Sequence, residues 1–230
     1  MTAQNAIFTS ETFKFFRDVG RNNHKTWMDA NRERYQAHIV QPFRALLGRL
    51  APFVTKLNPE FDTAGRTGGN FSRINRDIRF AKDKSPYRTQ MYLFFASTAV
   101  QDGDDAQLYV GVSAEAATIG FRMYGDTRNS RLARITSPRA RENTKWLEQQ
   151  KRRLGRKYES YWYTSEKGEW TKHNGWPTQP EDWKHIQGWI VRRKMKPVAA
   201  TNAGFVNDAA KSFRELFSLY RFASLPDWRG

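Results

Sequence analysis

The sequence predicts an α+β fold, a mostly antiparallel sheet with helices packed mainly on one face, in a single domain spanning residues 1–230. Three observations carry that expectation. Apolar residues recur at helical spacing through the first sixty residues and again near the C-terminus. Between them lie short runs that alternate apolar and polar residues, joined by connections too short for a parallel crossover. The composition, 39% hydrophobic and 14% aromatic over 230 residues, supports one sizeable core and excludes disorder as the default.

Taken in order, Thr9 or Ser10 is a good N-cap with Glu11 in the first turn, and Phe13, Phe16 and Val19 form an apolar stripe ending at Gly20. Arg21, Asn22 and Asn23 make a turn and His24 opens a second helical region. Trp27, Met28, Asn31, Tyr35, His38 and Ile39 keep helical spacing there, and Phe43, Leu46, Leu47, Leu50, Phe53, Val54 and Leu57 continue it. Pro42 marks a kink or the first residue of a new helix. Residues 58–70 read as loop. Their glycines at 65, 68 and 69 lack phosphate-loop spacing, so a plain flexible loop is expected there.

Three strand-like runs follow, at 90–98, 108–113 and 119–124, with a turn at 102–105, and together they predict an antiparallel meander. Asp126 and Thr127 cap a helix reaching about Thr136. Ser137 and Pro138 start another that runs to Leu154 and closes at Gly155. Residues 158–189 are dense in aromatics, which can pack a small sheet or stack nucleic-acid bases. Residues 188–195 read as a strand and 207–222 as a helix, before Pro226 and Trp228 end the chain.

The chemistry concentrates between Arg73 and Arg88. At period two, Arg73, Asn75, Asp77 and Arg79 fall on one face of an expected half-buried strand at 73–80, with Ile74, Arg76, Ile78 and Phe80 on the other. Asp83, Ser85 and Pro86 then make a turn. Arginine forks suit carboxylate or phosphate, and Lys82 and Lys84 add mobile positive charge. Arg73, Arg76, Arg79, Lys82, Lys84, Tyr87, Asn31 and Trp27 are therefore candidate ligand-binding residues, with Asn31 and Tyr87 as the orienting groups if the site is catalytic. Asp77 and Asp83 are candidate acid/base groups if burial shifts them. The same residue types also build a structural ion-pair ladder, and local chemistry leaves both readings open.

This segment, Arg73-Ile74-x-Arg76-Asp77-x-Arg79-Phe80-x-Lys82-Asp83-Lys84-Ser85-Pro86-Tyr87, is preceded by Asn22-Asn23, Trp27, Asn31 and Tyr35 at fixed spacing. Together they resemble a widespread family of uncharacterised proteins, a domain of unknown function with mostly bacterial and some fungal members. Trp183-Lys184-His185-Ile186 followed by Arg192-Arg193-Lys194 is similar to that family's C-terminal segment. The resemblance implies one compact domain over nearly the whole chain and brings no activity or cofactor with it. The family often has Ser where this chain has Ala81, so a mechanism needing that hydroxyl has none here.

The chain has no cysteine, which excludes disulfides, thiolate catalysis and Cys-type zinc sites and fits a reducing compartment. Its start has no signal-peptide pattern, and its longest strongly apolar run, 91–96, is too short to span a bilayer. A cytoplasmic protein without a membrane partner is expected. The four histidines lack metal-ligand spacing, and no cofactor or metal is expected.

The net charge is +16, with +4 in residues 1–115 and +12 in 116–230. Such an excess points to a polyanionic partner or to solvated surface charge. Residues 121–160 hold twelve basic and four acidic side chains, and Arg139, Arg152 and Arg153 would extend a polyanion footprint. Two functions follow as expectations: binding of nucleic acid or a phosphorylated ligand, or catalysis on an anionic small substrate with an Asp acid/base and an Arg/Lys clamp. A structural or interaction role, with the central segment as a brace, is the third.

Overall fold

A computed structural model describes residues 6–98, 106–125, 130–166, 168–225 and 228–229. The turn expected at 102–105, the cap expected at Asp126 and Thr127, and Pro226 lie outside the described residues. The fold is α+β. Helix α1 spans Ser10–Arg21, α2 Lys25–Ala30, α3 Arg32–Tyr35 and α4 Gln41–Leu57, with a π-helical turn at Gln36–Val40 between the last two. Strands β1 (Gln90–Phe95), β2 (Gln107–Ser113) and β3 (Ala117–Tyr124) follow. A second π turn at Leu132–Thr136 leads into α5 (Ser137–Glu142) and α6 (Thr144–Leu154). Strands β4 (Glu159–Glu166), β5 (Glu169–Asn174) and β6 (Ile186–Met195) and helices α7 (Pro197–Ala200) and α8 (Phe205–Ser224) complete the chain. The six strands form one antiparallel sheet in the order β1-β2-β3-β6-β4-β5. Among the described residues no helix is long and apolar enough to cross a membrane.

The chain divides into two compact units. The first comprises Met1–Phe95, Val110–Thr118 and Lys194–Lys211. In it, the Thr9 N–H donates to the Thr12 hydroxyl at 3.3 Å and starts α1, and the His24 ring accepts from the Trp27 N–H and starts α2. Phe8 sits edge-on between Phe43 and Phe205, at 5.2 and 5.6 Å, while Phe15 meets Trp27 and Tyr35. Pro42 directly follows the π turn in an unbroken helical run, since Val40 and Gln41 keep helical backbone angles.

The second unit comprises Ala96–Tyr109, Ile119–Arg193 and Ser212–Gly230. Its core is aromatic. Trp189 is fully buried and meets Phe121, Trp183 and Trp176 edge-on at 5.2, 5.3 and 6.1 Å. The expected helix ending at Leu154 breaks at Asn143, whose side-chain amide donates to the Arg139 carbonyl at 2.8 Å. Strands β4 and β5 form a hairpin that periodicity did not reveal, and it accounts for much of the aromatic density. Trp162 faces His173 across the pair, with their rings stacked at 4.0 Å.

Candidate functional site

Residues 73–80 do not form the expected strand. They belong to a long irregular hairpin in which 70–76 lies against 86–94. The Phe94 N–H donates to the Asn70 carbonyl, Ser72 N–H to Tyr92, Arg88 N–H to Ile74 and Arg76 N–H to Pro86, at 2.7–3.0 Å. Residue pairs sum to 164 at the root and 162 beyond Ile74, so the two arms slip by two residues and regular pairing stops. The alternation survives only to Ile74, which is buried. Phe80, expected inside, is 94% exposed.

The root is organised by Asn70, which is fully buried. Its amide donates to the carbonyls of Asp62 (2.7 Å) and Phe94 (3.2 Å), and its side-chain oxygen accepts from the Gly65 N–H at 2.8 Å. The 65–70 segment is a loop, as expected, and it is tied internally by hydrogen bonds. Its amides are consumed internally: Gly68 N–H by Phe71, and Gly69 and Asn70 N–H by Arg66. They hold no phosphate cradle. Midway along the hairpin the Asn23 side chain reads the Tyr87 backbone in both directions, accepting from its N–H at 2.9 Å and donating to its carbonyl at 2.8 Å.

At the tip the charges pair locally. Arg79 grips Asp77 through Nε and Nη2 at 3.0 and 2.7 Å. Arg76 donates to Asp83 at 2.5 Å and to the Ser85 carbonyl at 3.0 Å, and Lys84 reaches the Ile78 carbonyl at 3.0 Å. The Arg79 side chain and backbone hold Asp77 below the usual carboxylate range. Hydrogen bonds from the Ser85 hydroxyl and N–H, helped by Arg76, bring Asp83 to about 2. The bonds to Asp83 are present above its ordinary pKa of 3.8 and are lost as pH falls through about 2. The Ser85 amide resonance is expected to titrate with a midpoint near 2, and the titration should vanish in Asp83→Asn. A midpoint near 3.8 would mean that the clamp is not made.

Asn31 does not reach this segment. Its amide donates back to the Trp27 carbonyl and its oxygen accepts from Arg34, at 2.9 and 3.1 Å, so it joins α2 to α3. Trp27 packs on Phe15, and Tyr87 is buried. The expected site residues therefore separate. Arg76 and Tyr87 share a cleft of about 270 Å³ that already contains Asp83. Arg73 instead lines a second cleft of about 260 Å³ with Tyr35, Arg44, Thr67, Ser72 and Asn75. Among the described residues no carboxylate lines this second cleft, and neither Arg44 nor Arg73 has an ion pair or hydrogen bond. Burial raises the Tyr35 hydroxyl above its ordinary value, with the Arg32 charge pulling the other way, so it remains a donor at neutral pH.

The model of DUF2461, a conserved hypothetical protein family, matches residues 11–222. The chain belongs to that family. No curated protein matches it.

Arg44 is the residue of the second cleft that spacing could not reveal. Nine residues separate it from Tyr35, about two and a half turns, which puts the two on opposite sides of a regular helix. The π turn at Gln36–Val40 adds a residue to that path and brings both to one cleft. The structural roles of Asn23 and Asn70 also escaped, since Asn23 bonds a backbone 64 residues away and one of the three partners of Asn70 lies 24 residues away. In the second unit two members of the expected basic footprint are structural. Arg139 donates to the carbonyls of Phe222 and Leu225, and Arg153 to Gln150, Ser218 and the Glu215 carbonyl. Arg152 stays exposed.

Proposed function

We propose that this DUF2461 protein binds a small phosphate- or carboxylate-bearing ligand in the cleft between the α3–α4 segment and residues 67–75. The observation that carries the reading is the pair Arg44 and Arg73, two guanidinium groups without a carboxylate among the described residues. Two like charges at one concavity repel each other, and an anion between them relieves that repulsion while taking charge-assisted hydrogen bonds. The Tyr35 and Thr67 hydroxyls and the Asn75 amide offer further donors, and the volume suits one small ligand. Catalysis by Asp77 or Asp83 has less support: neither carboxylate has a proton to give at neutral pH, and the hydrogen bonds that lower their pKa make both weaker bases.

Titration calorimetry with inorganic phosphate tests the proposal. Arg73→Ala and Arg44→Ala should each weaken binding about tenfold or more, the effect of losing a charged hydrogen bond. Arg79→Ala should bind like the parent, since Arg79 is held by Asp77 and does not line the cleft. Equal affinities in all three variants, or no phosphate binding by the parent, would overturn it.

A further inference from the structure

Phe80 is the most exposed large apolar side chain among the described residues, at 94%. An aromatic ring left in water forgoes the burial that ordinarily stabilises it. The loop that carries it is nevertheless clamped: Asp77 holds Arg79, Asp83 holds Arg76 and the Ser85 N–H, and Lys84 holds the Ile78 carbonyl. These contacts tie the backbone on both sides of Phe80 and keep the ring from folding back. The Arg79 guanidinium stands over one face of the ring, 5.9 Å from its centroid. No other ring or cation touches Phe80 among the described residues. Lys82, two residues on, is exposed and has no ion pair or hydrogen bond among them.

We infer that Phe80 is a stacking platform for one unpaired base of a single-stranded nucleic acid, with Lys82 on a neighbouring phosphate. An exposed flat apolar ring suits a flat partner, and Lys82 beside it, unpaired among the described residues in a chain of net charge +16, favours a negative one. Stacking needs one free ring face, which Phe80 has. Wedging between two base pairs of a duplex is the other use of an exposed ring, and the duplex arm of the test below separates the two. The inference is independent of the Arg44 and Arg73 cleft.

Fluorescence anisotropy with a labelled single-stranded oligonucleotide and its duplex, across a salt series, tests it. Phe80→Ala should weaken single-strand binding about tenfold, the effect of losing one stacked base, and Phe80→Trp should restore it. Lys82→Ala should reduce the log-salt slope by about 0.7. Phe80→Ala should leave the melting temperature and the inorganic phosphate affinity of the cleft unchanged, which separates this result from the preceding proposal. The inference is overturned if Phe80→Ala binds the strand like the parent, if the parent binds no strand at low salt, or if the duplex binds more tightly. It is also overturned if Phe80 is needed for binding phosphatidylserine vesicles and not the strand.

Discussion

Trp189→Ala is expected to destabilise the protein by about 3–5 kcal/mol, the cost of emptying a large aromatic site in a packed core. Trp189 is fully buried, and three aromatic rings meet it edge-on, from Phe121, Trp176 and Trp183. Such contacts add to area burial because ring edges and faces carry opposite partial charge. These rings come from β3, the 3₁₀ turn at Pro180–Lys184 and the segment before it, so one cavity would loosen several elements together. Trp183 itself is held by its indole N–H to the Pro177 carbonyl at 2.8 Å and cannot swing in to fill the space. The Trp189 N–H donates to the Ser160 hydroxyl at 3.1 Å on the neighbouring strand β4. Ser160→Ala should therefore cost about 1–3 kcal/mol by leaving a buried donor unpaired, and Trp189→Phe should fall between the two. Denaturant unfolding followed by far-ultraviolet circular dichroism reads all three, with the midpoint shifting and the slope constant. A loss below about 1 kcal/mol for Trp189→Ala would show that the site collapses freely and that the cluster is not the core of its unit.

Periodicity was a good guide wherever one face of an element is buried along its length. The stripe of Phe13, Phe16 and Val19 is inside, as are Leu46, Leu50 and Val54 of α4, whereas in β2 Tyr109 and Gly111 are buried along with Leu108, Val110 and Val112, so that strand is covered on both faces. Periodicity failed where the backbone finds nearer partners. Residues 73–80 alternate like a strand, but Asp77 and Asp83 bond the N–H groups two residues ahead and bend the chain out of any ladder. Charge was the least legible property. Arg73 and Arg79 are indistinguishable in sequence, yet one lines a cleft and the other is spent on a carboxylate two residues away. Arg139 and Arg152 also differ, the first bonded to the Phe222 and Leu225 carbonyls more than eighty residues away and the second exposed and bonded to the Glu148 carbonyl of its own helix. What separates them is which nearby group each side chain turns to once the chain has folded, and a local count of charges does not contain that choice. The β4–β5 hairpin stayed hidden because its turn offers only Gly168, at φ 84°, and because aromatic residues on both faces hide the alternation.

Asn70→Ala is expected to cost about 2–4 kcal/mol, several times the effect of an average surface change, although it removes no apolar packing. The side chain is fully buried and makes three bonds, to the Asp62 and Phe94 carbonyls and from the Gly65 N–H. Alanine would leave these groups facing a small void, and no neighbouring amide can replace the lost one, since those of Gly68 and Gly69 are already engaged. Asn70→Asp, nearly the same shape, tests whether shape or hydrogen-bond polarity matters. It would turn a carboxylate oxygen toward two carbonyl oxygens, so its cost should equal or exceed that of alanine. The consequence reaches the cleft, because Thr67, Ser72, Arg73 and Asn75 lie within five residues of Asn70, in the loop before it and on the arm that it ties to Asp62 and Phe94. Below the melting temperature, Asn70→Ala should therefore weaken inorganic phosphate binding together with stability. If Asn70→Asp is as stable as the parent, the polarity argument fails. If Asn70→Ala loses stability and keeps full phosphate affinity, the cleft is positioned by α3 and α4 alone.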